Sequence, residues 1–229
     1  MDEAAPVPAW ACAPGLLAIP NLKAFLPDHA PRLLPGPDVR AVLGWGRRPT
    51  TRAGRLWSRA TGLPYIALED GFLRSVGLGE AGAASLSLIV DDLGVYYDAT
   101  RPSRLEQTLT DAAEWCDGAM RTRAQALIDR IVAAGLSRTN VGGPLDRSIL
   151  RPGCRVLVVD QTRGDASIQY GLAAPDAFAT MIAAARADHP GAQLIVKRHP
   201  AVAAGLKAGC LTDADLTDVT LIDTDVRPA

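Results

Sequence analysis

The chain contains two buried-strand patterns that each run directly into polar and charged residues. The first covers residues 156–167 and the second covers residues 194–200. Both begin with branched apolar residues, which are typical of strands buried in a parallel sheet. The polar residues after the two strands are Asp160, Gln161, Asp165, Ser167, Lys197, Arg198 and His199. Because ligands bind at the carboxyl ends of strands in open α/β sheets, these segments predict an α/β fold with a ligand site at that edge.

Length and charge limit the function classes. A chain of 229 residues can form one large domain or two small ones. Its 24 Lys and Arg residues nearly balance 25 Asp and Glu residues, so the sequence offers no global positive field for nucleic acid. Any anionic ligand must therefore be held by a local cluster of cationic side chains.

The cysteines and the apolar start of the chain indicate a soluble protein. The four cysteines are far apart, without a CxxC pair, which argues against a zinc site or a disulfide framework and for a reducing compartment. Residues 4–20 are mostly apolar, but they follow acidic residues and contain four prolines. This pattern excludes a signal peptide and a spanning helix, and we expect a cytoplasmic protein.

The first half of the chain shows a strand–helix–strand order. We predict strands over 39–46 and 63–68, with a helix that Thr50 or Thr51 caps and Gly62 ends. This order predicts a parallel sheet. Two further short strands are expected over 87–92 and 95–98.

A helical region follows. The capping box at residues 103–106 begins a helix that we expect to break at 116–118. A second helix is predicted to place a core-facing stripe on one side and to end at Gly135. The stripe residues are Met120, Ala124, Leu127, Ile131 and Ala134.

The polar, Gly- and Pro-rich stretch around residue 145 predicts a domain boundary. We assign residues 1–140 to a first domain, 141–153 to a linker and 154–229 to a second domain. The second domain is expected to contain strands over 155–160, 193–197 and 219–223, with a helix over 176–188. One helix and three strands cannot cover both faces of a parallel sheet, so we expect this domain to be incomplete.

The candidate chemical residues permit a functional and a structural interpretation. Glu69 and Asp70 follow a predicted strand, and Asp165 follows a glycine; each carboxylate also suits a turn or a helix cap. Lys197 and His199 flank one position of an extended segment, so their side chains point the same way. Carboxylates beside cations suit cleavage of a phosphate ester while a sugar cation forms.

Six segments, taken in their order along the chain, closely resemble the bacterial capsule-polysaccharide β-Kdo transferases of the KpsC/LipA type. They are residues 43–49, 68–75, 86–92, 94–103, 158–167 and 196–200. The Asp-Gln-Thr sequence at 160–162 is most similar to the amino-terminal of two modules in that family. Relatives continue with Gly-Phe-Glu-Ala-Leu and Trp-Tyr-Ala-Gly-Trp-Gly segments that are absent here. The resemblance therefore implies a module truncated at its carboxyl end.

The resemblance implies a GT-B-like fold of two Rossmann-like domains, with the acceptor on the first domain and the CMP-sugar on the second. It implies transfer of β-Kdo from CMP-β-Kdo, with retention, to a lipid-linked Kdo acceptor in capsular polysaccharide linker synthesis. Asp165 matches the nucleophile and Glu69 the acid/base. The matching substrate-binding positions are Lys197, His199, Gln161, Ser167, Asp70 and Arg74.

No metal or cofactor is expected, because CMP leaves readily and the sequence shows no metal cluster. The resemblance implies capsule-assembly partners, and peripheral attachment to the inner membrane is compatible with it. Two alternatives stay open: an inverting CMP-sugar transferase of the sialyltransferase kind, and an inactive nucleotide-sugar-binding fragment. We expect the 229-residue chain alone to be inactive.

Overall fold

The structure is a computed structural model that describes residues 5–174, 176–223 and 226. The chain divides into two compact units, residues 1–140 and residues 141–229. The strands are β1 Val7–Ala11, β2 His29–Arg32, β3 Ala41–Trp45, β4 Tyr65–Asp70, β5 Leu88–Asp91, β6 Arg155–Val159, β7 Gln193–Lys197 and β8 Thr220–Ile222. The α-helices are α1 Leu22–Phe25, α2 Arg52–Thr61, α3 Arg104–Thr110, α4 Ala112–Trp115, α5 Gly118–Ala133, α6 Ala166–Tyr170, α7 Ala177–Asp188 and α8 Pro200–Ala203.

The first unit contains a five-stranded sheet in the order β2-β1-β3-β4-β5. The pair of β3 and β4 is parallel, as the strand–helix–strand order predicts, and β1 also pairs parallel with β2 and β3. β5 instead pairs antiparallel with β4. A parallel neighbour usually requires a crossover helix, whereas the 71–87 connection contains a short 3-10 turn and no α-helix. The predicted parallel sheet therefore gains an antiparallel edge strand.

The largest buried cluster of this unit lies on one face of the sheet. Alternate residues of β1, β3 and β4 point to that face, because successive side chains of a strand point to opposite sides. Leu16, Leu22 and Leu26, from the chain between β1 and β2, cover them. The strand residues of this buried cluster are Ala9, Ala11, Ala41, Leu43, Ile66 and Leu68.

Helix α2 packs against β3 and β4. Gly54 allows a close approach, since a Cβ there would collide with the Cys12 side chain. Gly62 ends the helix in the left-handed conformation with φ 72°, as predicted. Thr51 is the N-cap residue, as predicted, but its hydroxyl donates to Arg48 O at 2.8 Å and does not accept from a helix N–H. A 3-10 turn over Pro49–Thr51 leads into the helix instead.

Residues 95–98 form turns and not the predicted strand. The Asp91 carboxylate accepts from the backbone N–H groups of Leu93 and Gly94, at 2.9 and 2.8 Å, and closes the first turn. Asp98 N then donates to Val95 O at 2.9 Å. These local hydrogen bonds satisfy backbone groups that a strand would pair with a neighbour.

The helical region begins after Ser103 and ends before Gly135 as the sequence predicts, but an additional break at Asp111 divides the first predicted helix into α3 and α4. Ser103 Oγ accepts from Glu106 N at 3.1 Å, and the helical region breaks between α4 and α5. However, no residue of α5 is buried, and within the predicted stripe Met120 is 36% and Leu127 53% exposed. The predicted contact of the α5 stripe with the core is therefore wrong. Periodicity identifies the apolar side of a helix, but not whether another element covers it.

The second unit contains a parallel sheet in the order β6-β7-β8. Val158, Val196 and Leu211 pack with Ile182 of α7 into its core. On the opposite side of β6, Leu157 is 60% exposed. On the same side, however, Ile195 of the central strand β7 is buried. The expectation that this domain is incomplete therefore stays a prediction.

Residues 141–153 belong to the second compact unit. The buried Gln193 side chain holds them there: it donates to Ile149 O at 2.7 Å and accepts from Arg151 N at 2.7 Å. The stretch predicted as a linker is thus attached to β7, while the predicted roles of the two domains stay predictions. Among the described residues, no helix is long and apolar enough to cross a membrane. The helix predicted over 176–188 is α7, and Pro175, near which we expect it to open, lies outside the described residues.

Candidate active site

In the first unit, the carboxyl ends of β3 and β4 place Glu69 beside the 46–48 turn. The Tyr97 hydroxyl donates to Glu69 Oε1 at 2.9 Å and accepts from Arg47 N at 3.0 Å. Gly46 is required at this point, since it has φ 42° and a Cβ there would collide with the Glu69 carboxylate and the Tyr97 hydroxyl. The carboxylate is therefore held by the turn that follows the neighbouring strand.

The surroundings of Glu69 favour its protonated form. Burial raises the pKa of the Glu69 carboxyl, the hydrogen bond from Tyr97 and the charge of Arg48 oppose that rise, and the neighbouring Asp70 adds to it. The net pKa lies above the ordinary value. A carboxyl group of this kind suits general acid/base work near neutral pH.

Asp70 and Arg74 come together, as an ion pair within the loop after β4. Arg74 Nε lies 2.7 Å from Asp70 Oδ1, and the Ser85 hydroxyl donates to the same oxygen at 3.0 Å. Arg74 Nη1 also donates to Ser75 Oγ at 2.8 Å and to Ala83 O at 3.2 Å. These contacts fix the 70–86 loop, and a substrate contact of either residue stays a prediction.

Sequence reasoning missed three residues of this site: Arg47, Tyr97 and Asp98. Arg47 Nε lies 3.1 Å from the buried Asp98 Oδ2, which fixes the turn that carries the backbone N–H to Tyr97. Burial acts to raise the pKa of Asp98, but hydrogen bonds from Thr100 and the charges of Arg47 and Arg101 outweigh it and lower the pKa. These residues lie in the Arg-Arg-Pro and Tyr-Tyr-Asp sequences of the segments that resemble the family. Neither sequence has a spacing that by itself indicates a functional role.

In the second unit, pairing of β6 with β7 brings both polar segments to the same edge. Asp160 N donates to Lys197 O at 2.9 Å, which places the 160–167 loop next to the 197–199 segment. The Asp160 carboxylate is 1% exposed and accepts from the backbone N–H groups of Gln161, Cys210 and Leu211 at 2.8, 3.0 and 3.1 Å. Asp160 therefore anchors the loop rather than facing a ligand.

Asp165 is an exposed carboxylate near this edge. Its Oδ1 accepts from Ser167 N at 2.8 Å, and the residue is the N-cap of α6. Burial acts to raise the pKa of Asp165, but the hydrogen bonds from Ser167 and the charge of Lys207 outweigh it and hold the pKa below the ordinary value. The carboxylate is thus ionised at neutral pH, which both a nucleophile and a helix cap require.

His199 is oriented by the helix that follows it. Its Nδ1 accepts from Ala201 N at 3.1 Å, so the proton of the neutral ring is on Nε2. Lys197 is half-buried at the end of β7, two residues earlier on the same side of the extended segment. An Nε2–H donor and an ammonium group suit recognition of a phosphate. Gln161 is half-buried in the facing loop.

Among the described residues, there is no group of three or more His, Cys, Asp or Glu side chains placed to hold a metal ion. The expectation that neither a metal nor a cofactor is required stays a prediction.

Each unit is therefore an α/β layer with candidate chemical residues at the carboxyl ends of parallel strands, the arrangement of α/β proteins that bind ligands at this edge of the sheet. Residues 40–139 and 146–228 match the family described as "Capsule polysaccharide biosynthesis protein". The chain belongs to this family, and the predicted KpsC/LipA-like resemblance is confirmed.

Two relatives are much longer than this chain. The capsule polysaccharide modification protein LipA of Neisseria meningitidis serogroup B is 43% identical over 221 residues, covering 93% of this chain and 31% of LipA. The lipopolysaccharide-processing protein LpsZ of Rhizobium meliloti is 35% identical over 185 residues, covering 80% of this chain and 42% of LpsZ. The chain thus spans about a third of LipA and less than half of LpsZ.

Two solved structures share the fold. The β-Kdo 2,4 transferase of Thermosulfurimonas dismutans KpsC is 39% identical with a TM-score of 0.86, covering 96% of this chain and 69% of that one. The KpsC β-Kdo 2,7 transferase is 21% identical with a TM-score of 0.62, covering 95% of this chain and 66% of that one. At that identity, the second match shows the fold alone. The predicted α/β, GT-B-like fold class is confirmed.

Proposed function

We propose that this chain supplies the catalytic carboxylates of a retaining glycosyltransferase that moves β-Kdo from CMP-β-Kdo to a Kdo-bearing acceptor in capsule synthesis. The observation that carries the proposal is the match over 96% of the chain to the KpsC β-Kdo 2,4 transferase. The candidate residues support it, because each unit places a carboxylate at a strand end and the second unit adds Lys197 and His199.

The two carboxylates have different roles in the proposed reaction. Ionised Asp165 attacks C2 of Kdo and forms a carbon–oxygen bond while the C2–O bond to phosphate breaks, so that CMP leaves with the electron pair. The acceptor hydroxyl then attacks C2, Glu69 takes its proton, and the bond to Asp165 breaks. Two inversions at C2 give retention.

Lys197 and His199 are proposed to bind the departing phosphate. CMP gains negative charge as the C2–O bond breaks, and a cation or an N–H donor stabilises that charge. His199 is suited to this task because the Ala201 N–H bond keeps its proton on Nε2. Gln161 and Ser167 are proposed to contact the donor from the facing loop, and Asp70 and Arg74 to support the acceptor side.

We further propose the 4-hydroxyl of the acceptor Kdo as the site of transfer. The support is the 39% identity to the 2,4 transferase, against 21% to the 2,7 transferase. Association with the inner membrane and with capsule-assembly proteins belongs to the same proposal, and it rests on family membership.

The test uses two proteins, because the chain spans only part of its relatives. One is the 229-residue chain, and the other is a chimera in which this chain replaces the matched part of the KpsC β-Kdo 2,4 transferase. Each is incubated with CMP-β-Kdo and a soluble acceptor that ends in β-Kdo. Mass spectrometry detects transfer, and NMR of the product gives the anomeric configuration and the linkage. Absence of transfer by both proteins, with KpsC active in parallel, would overturn the proposal.

One observation favours the inverting alternative: Asp165 caps α6, so its carboxylate has a structural task without any nucleophilic role. An inverting enzyme would use Glu69 as base and no covalent intermediate. The anomeric configuration of the product separates the two mechanisms.

A further inference from the structure

The Glu69 carboxylate is held by a short chain of hydrogen bonds. Arg47 N donates to the Tyr97 hydroxyl at 3.0 Å, and that hydroxyl donates to Glu69 Oε1 at 2.9 Å. A phenol oxygen that accepts a backbone N–H must turn its own proton elsewhere, and here the proton points to the carboxylate. Tyr97 thus fixes the position of Oε1 relative to the turn after β3.

Further contacts hold the turn that carries the Arg47 N–H. Arg47 Nε lies 3.1 Å from Asp98 Oδ2, whose side chain is fully buried, and Asp98 accepts from Thr100 N at 3.0 Å. The Tyr97 ring also packs edge-on against the Tyr96 ring, with centroids 5.5 Å apart. The two hydrogen bonds of the hydroxyl and the contact between the rings therefore both restrict the Tyr97 side chain.

Tyr97 stays a donor throughout the neutral range. Burial, together with the adjacent negative charge of Glu69, raises the pKa of its hydroxyl well above the ordinary value. The arrangement also requires glycine at position 46, since a Cβ there would collide with both the Tyr97 hydroxyl and Glu69 Oε1.

We infer that Tyr97 is the positioning residue of Glu69: its hydroxyl, set by the Arg47 N–H, fixes the carboxylate and sets the pH range over which it is ionised. The consequence for catalysis rests on the proposed function; the contact itself does not. The other charged groups that act on Glu69 are Arg48, Asp70 and Arg138, and Tyr97→Phe leaves all three in place.

Two measurements separate the contact from the reaction. The chain has five glutamates, so carboxyl-labelled Glu gives few NMR signals, and Glu69→Gln identifies that of Glu69. The hydrogen bond from Tyr97 opposes the raised pKa of Glu69, so Tyr97→Phe shifts the Glu69 titration to higher pH. Placing 3-fluorotyrosine at position 97 strengthens the donor and shifts the titration to lower pH. Tyr96→Phe, the matched control, leaves the titration in place.

In a protein that transfers Kdo, Tyr97→Phe should move the acidic limb of the kcat profile to higher pH and lower kcat by up to about a hundredfold, since misplacement of a base has effects of this order. A merely structural role would lower activity without moving the limb. The inference is overturned if the Glu69 titration is the same in wild type, Tyr97→Phe and the fluorotyrosine protein. If the titration moves but no protein transfers Kdo, the proposed function fails and the Tyr97–Glu69 contact stands.

Discussion

The two candidate carboxylates are placed in opposite environments. Glu69 is partly buried at the end of β4, where desolvation raises its pKa. Asp165 is exposed at the start of α6, where hydrogen bonds from Ser167 and the charge of Lys207 lower its pKa. Burial thus raises the pKa of the carboxyl group in the first unit, whereas hydrogen-bond donors lower the pKa of the carboxyl group in the second. One suits proton transfer, and the other suits nucleophilic attack.

The largest expected effect is the loss of the nucleophile. In the chimera, Asp165→Asn should abolish transfer, with a loss of several orders of magnitude in kcat, as for other covalent nucleophiles. Asparagine can also accept from a helix N–H as an N-cap, so α6 is retained while the charged nucleophile is removed. Mass spectrometry with donor alone should show a Kdo adduct in the wild type and none in the variant. An adduct on Asp165→Asn would assign the nucleophile to another residue.

Glu69→Gln should have the next largest effect. The variant should lose roughly 10²- to 10⁴-fold in turnover, because general base catalysis contributes about that much. It should still form the adduct, because CMP leaves without a proton. Asp70→Asn is the matched control, since it changes the adjacent carboxylate that pairs with Arg74. If Glu69→Gln prevents the adduct while Asp70→Asn does not, the division of roles between the two units is wrong.

The phosphate contacts should have a smaller effect on donor binding. Loss of one hydrogen bond to a charged group costs roughly 1.5–3 kcal/mol, so His199→Asn should weaken CMP binding by about one to two orders of magnitude. Asparagine can still cap α8, which removes the Nε2 donor without removing the cap. Calorimetry of the chimera with CMP measures the change. Arg198→Ala, which loses a contact with Asp223, serves as the control, and equal affinities of both variants would contradict a phosphate role for His199.

The smallest expected effect is on stability, and its sign differs between the two carboxylates. Ionised Glu69 is disfavoured by burial, so Glu69→Gln should become more stable relative to wild type as pH rises above the unfolded pKa of about 4.3. Asp165 contributes stability above its unfolded pKa of about 3.9, and loses it as pH falls through its lowered folded pKa. Asp165→Asn should therefore be less stable than wild type at neutral pH and approach it in acid. Urea unfolding of the 229-residue chain at several pH values measures the free energy of unfolding of both variants. If both variants differ from wild type in the same direction at neutral pH, the prediction is contradicted.

Most of the sheet could be predicted from the sequence because strand periodicity and glycine stops are local signals. The strands β3, β4, β6 and β7, the break between α4 and α5, and the end of α2 at Gly62 follow from them. The turn over 95–98 was missed because Asp98 N donates to Val95 O within the segment, while the Asp91 and Asp98 carboxylates accept from backbone N–H groups on either side of it. The apolar stripe of α5 was interpreted as core because a sequence shows the stripe but not what packs on it.

The candidate site divides in the same way. The sequence by itself determined that carboxylates, a lysine and a histidine follow buried strands, and the order of those segments identified the family. Only the tertiary structure decided which carboxylates are exposed and which are anchors. Asp160 and Asp165 are five residues apart in one loop, yet the first is buried under three backbone N–H groups and the second caps a helix. Likewise, Tyr97 reaches Glu69 across 28 residues of sequence, a contact set by the packing of a turn against a strand end and by no local pattern.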